Sequence, residues 1–127
     1  MKSDIDYFLS SIAKSKFRSK FHLNDEMKEY VFKKGIDEIK KHAYEIVLKR
    51  LAPKNIANDG KQTPMRQVHP VFVAQHATGC CCRKCLERIH KIKNNRELSR
   101  EEIDYIVNII VRFIENECSK EVKYERK

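Results

Sequence analysis

The chain contains no tryptophan, only three glycines and three prolines in 127 residues, and no apolar run that approaches the roughly 18–20 residues of a membrane span. Scarce glycine and almost no alternating polar–apolar segments argue against a sheet-rich fold, which needs turn residues and a period of two. The opening Met1-Lys-Ser-Asp-Ile-Asp6 turns acidic at once. It lacks the apolar stretch and small-residue cleavage site of a secretory leader, so a reducing, cytoplasmic setting without membrane contact is expected. The five cysteines are an odd number, which excludes a fully paired disulfide framework. In a reducing compartment, clustered cysteines serve metal binding or thiol chemistry.

What is abundant is charge. Charged residues make up 35% and hydrophobic residues 41% of the chain, a balance suited to one surface-rich domain rather than a disordered segment. Twenty-seven basic residues against 18 acidic leave a net charge of +9. Such a field attracts phosphate backbones and other polyanions, although excess lysine also serves solubility alone.

Helical spacing recurs along the chain. Ser3 is placed to cap a helix carrying Ile5, Phe8, Leu9 and Ile12. Asn24 offers a second N-cap, with Asp25 and Glu26 suited to the positive end of the helix dipole and Gly35 as a stop. Ile36, Ile39, Ala43, Ile46, Val47 and Leu51 form the stripe of a third helix that Pro53 closes. From Pro53 to Val68 the periodicity disappears into loop composition. Val71–His76 reads as a short helix opened by Pro70, against a competing strand reading of its β-branched residues. Ser99-Arg-Glu-Glu102 is a capping box ahead of Ile103, Ile106, Val107, Ile110 and Ile114. The expected architecture is mainly α: a small single-domain helical fold over residues 1–118, with a Cys/His metal-binding centre, a long central loop, and a charged tail at 119–127.

The chemistry concentrates between His76 and His90, where four cysteines and two histidines fall within fifteen residues. Thiolates and imidazoles are the ligands of tetrahedral zinc, and Cys82-x-x-Cys85 has the spacing of half such a site. Seven residues separate His69 from His76, too far for both to reach one ion from one helix. The preferred Zn2+ ligand set is therefore His76, Cys82, Cys85 and His90, with Cys81 and His69 as substitutes. Adjacent cysteines rarely share one ion, so Cys81 and Cys82 are read as competitors. A plainer reading also exists, because Cys82, Cys85, Leu86 and Ile89 follow the spacing of an ordinary buried helix face. A third keeps the thiols reactive: Cys82-Arg-Lys-Cys85 at a helix start would feel the dipole and two cations. Three contiguous cysteines fit an iron–sulfur cluster poorly.

A basic segment, Lys14, Lys16, Arg18 and Lys20 with Phe17 and Phe21 interleaved, has the composition of a phosphate-backbone contact. The two rings are also ordinary core anchors, the reading favoured for them. Lys61, Arg66 and Arg83 would extend the polyanion-binding surface. If the centre were catalytic, Glu87 is the nearest candidate base for a metal-bound water.

Lys14-Ser-Lys-Phe-Arg-Ser, Arg50-Leu-Ala-Pro53, Asn58-Asp-Gly-Lys-Gln-Thr-Pro-Met-Arg66, His69–Thr78 and Cys81-Cys-Arg-x-Cys-Leu86 followed by His90 resemble the bacterial domain-of-unknown-function 4186 family over roughly Ile5 to Glu115. The resemblance implies a small single-domain protein without an assigned activity. It also makes Cys80 the least favoured ligand, since the family motif recurs without a thiol there. The chain departs from the pattern by one extra residue in Arg66-Gln-Val-His69, and by Ile89 where tryptophan is usual, which marks a packing position. The functional expectation is a zinc-binding protein, acting as a metal-stabilised nucleic-acid or polyanion module. The alternatives are a nuclease-like zinc hydrolase and a dithiol redox or sensor protein.

Overall fold

The computed structural model describes residues 4–54 and 69–125. Among these residues all regular structure is helical: α1 (Asp4–Ile12), a 3-10 turn (Arg18–Lys20), α2 (Asp25–Lys34), α3 (Ile36–Arg50), α4 (Pro70–Thr78), α5 (Arg83–His90) and α6 (Arg100–Glu125). The expected capping residue Ser3 and the loop cations Lys61 and Arg66 lie outside the described residues.

The helix signals in the sequence have direct counterparts. Asn24 Oδ1 accepts from the Met27 N–H at 2.8 Å, and Asp25 and Glu26 occupy the first turn of α2. Gly35 separates α2 from α3 with φ of +85°, a conformation that costs a side-chain-bearing residue free energy. Pro70 sits in the first turn of α4, where its missing N–H leaves no orphan donor, so the helix reading of Val71–His76 holds over the strand reading. Ser99 and Glu102 exchange both bonds of the capping box, at 3.1 and 2.9 Å. Arg96 clamps the same carboxylate with two further bonds.

Helix α6 is the spine. Its stripe of Ile106, Val107, Ile109, Ile110 and Ile114 is fully buried, and α3, α4 and α1 pack along it. From α3 come Ile39, Ala43 and Val47, and from α4 come Val71, Val73 and Ala74. Burial of each large aliphatic side chain contributes about 1.5–3 kcal/mol relative to exposure. Helix α4 is buried almost along its whole length, which fits the apolar run Val71–Ala74 and leaves Gln75, His76 and Thr78 buried as well. It therefore presents its C-terminal turn, and the cysteines that follow, to the interior rather than to solvent.

Arg83 is one of the largest fully buried side chains. Its guanidinium donates to the carbonyls of Leu51 (3.0 Å), Pro53 (3.4 Å) and Lys93 (2.7 Å). It fastens the end of α3 to the segment after α5. The expectation that Arg83 belongs to a polyanion surface is corrected: the side chain is buried, and its Nη1 and Nη2 donate to carbonyls inside the fold.

Candidate metal centre

The cysteine segment turns sharply between α4 and α5. Gly79 ends α4 in the left-handed region, at φ +75°. A Cβ on Gly79 would stand 2.6 Å from Ile89 Cδ1, so this glycine permits both the turn and the close approach of α5. Ile89, half-buried, packs over Gly79. Cys82 adopts an extended conformation and becomes the N-cap of α5, its sulfur accepting the Cys85 N–H at 3.4 Å. This is the knuckle expected of Cys-x-x-Cys: one thiol caps the helix, and the other projects from its first turn toward the same point.

The sulfurs of Cys81, Cys82 and Cys85 all lie within 4.8 Å of one another. Tetrahedral zinc at about 2.3 Å from each sulfur holds its thiolates about 3.8 Å apart, so a small contraction suffices to enclose an ion. This three-cysteine cluster is compatible with a bound metal. The expectation that neighbouring Cys81 and Cys82 exclude one another is corrected. The chain bends at these two residues before α5 begins, and both sulfurs reach the cluster.

Neither expected histidine joins them. His76, near the end of α4, stacks its ring on Phe21 with centroids 5.2 Å apart and planes 21° from parallel. His90 ends α5 with both ring nitrogens engaged. Nε2 lies 2.9 Å from the Thr78 carbonyl, which can only accept, so Nε2 carries the proton; Nδ1 faces the Tyr105 hydroxyl at 3.0 Å. In that tautomer the one remaining ring lone pair, on Nδ1, accepts from the Tyr105 hydroxyl. His69 serves as the N-cap of α4, its Nδ1 accepting from the Val71 N–H at 3.1 Å. Cys80 is fully buried in the apolar core and also stands outside the sulfur group, with its thiol pushed up to about 12 by burial.

The cluster has a cation that sequence reasoning assigned elsewhere. Arg18, in the 3-10 turn, is buried and donates to Cys85 Sγ at 3.3 Å, Cys81 Sγ at 3.6 Å and the His76 carbonyl at 2.7 Å. Its place in a polyanion surface is therefore corrected. Lys14, Lys16 and Lys20 remain exposed. Phe21 is buried as a core anchor, whereas Phe17 is 44% exposed, with the Lys20 ammonium 5.2 Å from its ring centre. No local pattern announces the Arg18 contact, because its sulfur partners are more than sixty residues away in sequence.

The electrostatics divide the thiols. Hydrogen bonds from Cys81 and Cys82, joined by the Arg18 guanidinium, hold the Cys85 thiol far below its ordinary value despite partial burial. Cys81 moves the other way, since its proton is retained by bonds with Cys82 and Cys85 and by burial. Burial alone would lower the Arg18 pKa, but the bonds to the two sulfurs reverse that and raise it. Arg18 is buried and Cys85 half-buried, so negative charge at the Cys85 sulfur would meet the guanidinium rather than stand alone.

Fold and site together define a small protein, helical in all the regular structure of its described residues, with a cysteine cluster at the mouth of a helix. A family model described as "Domain of unknown function (DUF4186)" matches residues 6–115. The chain belongs to that family, as the motifs around His69–Thr78 and Cys81–Leu86 imply. No solved structure matches it.

Proposed function

We propose that this protein is a zinc-binding module whose ion is held by Cys81, Cys82 and Cys85, with the fourth position taken by a ligand from solution. The observation that carries this reading is the convergence of three sulfurs around one point. Charge supports it. A divalent ion with three thiolates carries one net negative charge, and Arg18 supplies the compensating positive charge within hydrogen-bond reach. Zinc bound here would tie the α4–α5 turn to the 3-10 turn through Arg18, contributing to the stability of the fold.

The polyanion-binding role is proposed on a smaller set of residues than the sequence suggested: the exposed Lys14, Lys16 and Lys20, of which Lys20 lies near the Phe17 ring. Those contacts carry a strong salt dependence. The hydrolase alternative gains no support from the geometry. His69, His76 and His90 are engaged elsewhere, and Glu87 is exposed and turned to the Asn94 N–H at 3.5 Å.

A dithiol reading is favoured by one observation, the Cys85 sulfur in contact with the Arg18 guanidinium beside two further thiols. Cobalt substitution separates the two. Stoichiometric cobalt showing thiolate-to-metal charge-transfer absorption of three-sulfur intensity supports the metal centre. Failure to take up cobalt or zinc under reducing conditions, with rapid alkylation of Cys85, establishes the thiol reading instead.

A further inference from the structure

A cavity of about 530 Å³ lies beside the cysteine cluster, lined by Ser11, Ser15, Arg18, Arg88, Phe8 and Ile89 among others. Its size falls within the range of small-molecule sites. We propose that it binds a phosphate monoester, with the phosphate held by Arg88, Ser15 and Ser11 and the organic group resting on the apolar wall.

The donors decide the charge and shape of the ligand. Arg88 is exposed and, among the described residues, commits only Nη2, to the Cys85 sulfur at 3.8 Å. Arg18 is already balanced by the sulfurs, so Arg88 is the cation left for a ligand. That count is the same whether one thiolate or a zinc–thiolate group faces Arg18, so the inference does not rest on the metal reading. Ser15 Oγ accepts the Arg18 backbone N–H at 3.2 Å, which leaves its own O–H available as a donor. The carbonyls of Ser11 and Ile12, at the negative end of α1, are capped by the N–H groups of Lys14 and Ser15 at 3.2 and 3.0 Å. They are therefore not bare acceptors that would repel an anion.

Hydroxyls come from the α1 side and guanidinium from α5, so the donors face the space from two different elements. A tetrahedral oxyanion uses such a set more fully than a planar carboxylate does. Phe8, Ile12, Phe17 and Ile89 supply an apolar wall that inorganic phosphate would leave unused.

Isothermal titration of the full chain with phenyl phosphate, inorganic phosphate and benzoate tests this. Saturable binding is expected for phenyl phosphate, at least about threefold tighter than for inorganic phosphate and tighter than for benzoate. Arg88→Gln should weaken it roughly tenfold or more, and Ser15→Ala about threefold. Lys49→Gln, which removes an exposed charge from α3, should change nothing. The inference is overturned by absence of saturable binding of either phosphate, by equal affinity for benzoate, or by equal weakening in Lys49→Gln. Zinc content measured on the same preparations keeps the two readings apart: zinc-loaded protein that ignores phosphate overturns only this one.

Discussion

Arg18 and Cys85, 67 residues apart in sequence, meet inside the protein with guanidinium Nη2 3.3 Å from the sulfur. The same guanidinium holds the His76 carbonyl at 2.7 Å, so one side chain joins the 3-10 turn, the end of α4 and the start of α5. Replacing it with an uncharged residue removes three bonds and the buried cation at the sulfur cluster. Arg18→Gln should destabilise the fold by about 3–5 kcal/mol and weaken zinc affinity by about 10–100-fold, read by urea unfolding and chelator competition. Arg18→Lys should recover little, because an ammonium lacks the fork that reaches two sulfurs and a carbonyl together. Full rescue by lysine would show that charge alone matters here.

Tyr105 and Thr78 fix the His90 ring from both sides. Tyr105→Phe should cost about 0.5–1.5 kcal/mol for the lost bond and leave metal content unchanged. A fall in zinc content would mean that His90 contributes to the metal centre through a geometry other than this one.

Acid sensitivity should arise in part at His69. Burial, reinforced by nearby His42, holds its pKa below the ordinary histidine value, and Nδ1 must stay unprotonated to accept the Val71 N–H. A depressed folded-state pKa contributes stability that is complete above the unfolded value of about 6.5 and is lost as pH falls through the folded value. Urea midpoints should therefore decline between about pH 7 and pH 5. His69→Asn, which keeps an N-cap acceptor without a titrating ring, should show a shallower decline. An unchanged slope would remove His69 from the acid response.

Gly79 carries a double constraint, a φ of +75° and the Ile89 side chain 2.6 Å from where a Cβ would stand. Gly79→Ala should cost about 1–3 kcal/mol by thermal or urea unfolding. Adding Ile89→Ala should relieve the collision but not the backbone strain, so the two effects should not add.

The helices were legible because their signals are local. Asn24, Pro70 and the Ser99–Glu102 box each act within one turn, and the α6 stripe has a single period. The site was legible only in part for the complementary reason. Cys82 and Cys85 lie within one knuckle, and their convergence follows from spacing. That Cys81 joins them depends on a bend before α5, and the rejection of His90 depends on Thr78 and Tyr105. Arg18 and Arg83 resemble surface cations in composition, yet each is drawn inward by acceptors far away in sequence. A spacing argument has no access to such partners.

Metal content per chain tests the central claim most directly, measured by mass spectrometry on reduced protein purified without a metal-affinity tag. The account predicts about one zinc per chain in the parent, in Cys80→Ser and in His90→Gln, and little in Cys81→Ser, Cys82→Ser or Cys85→Ser. A metal-free parent, or zinc that survives loss of Cys81 and Cys85 but not of His90, would contradict it.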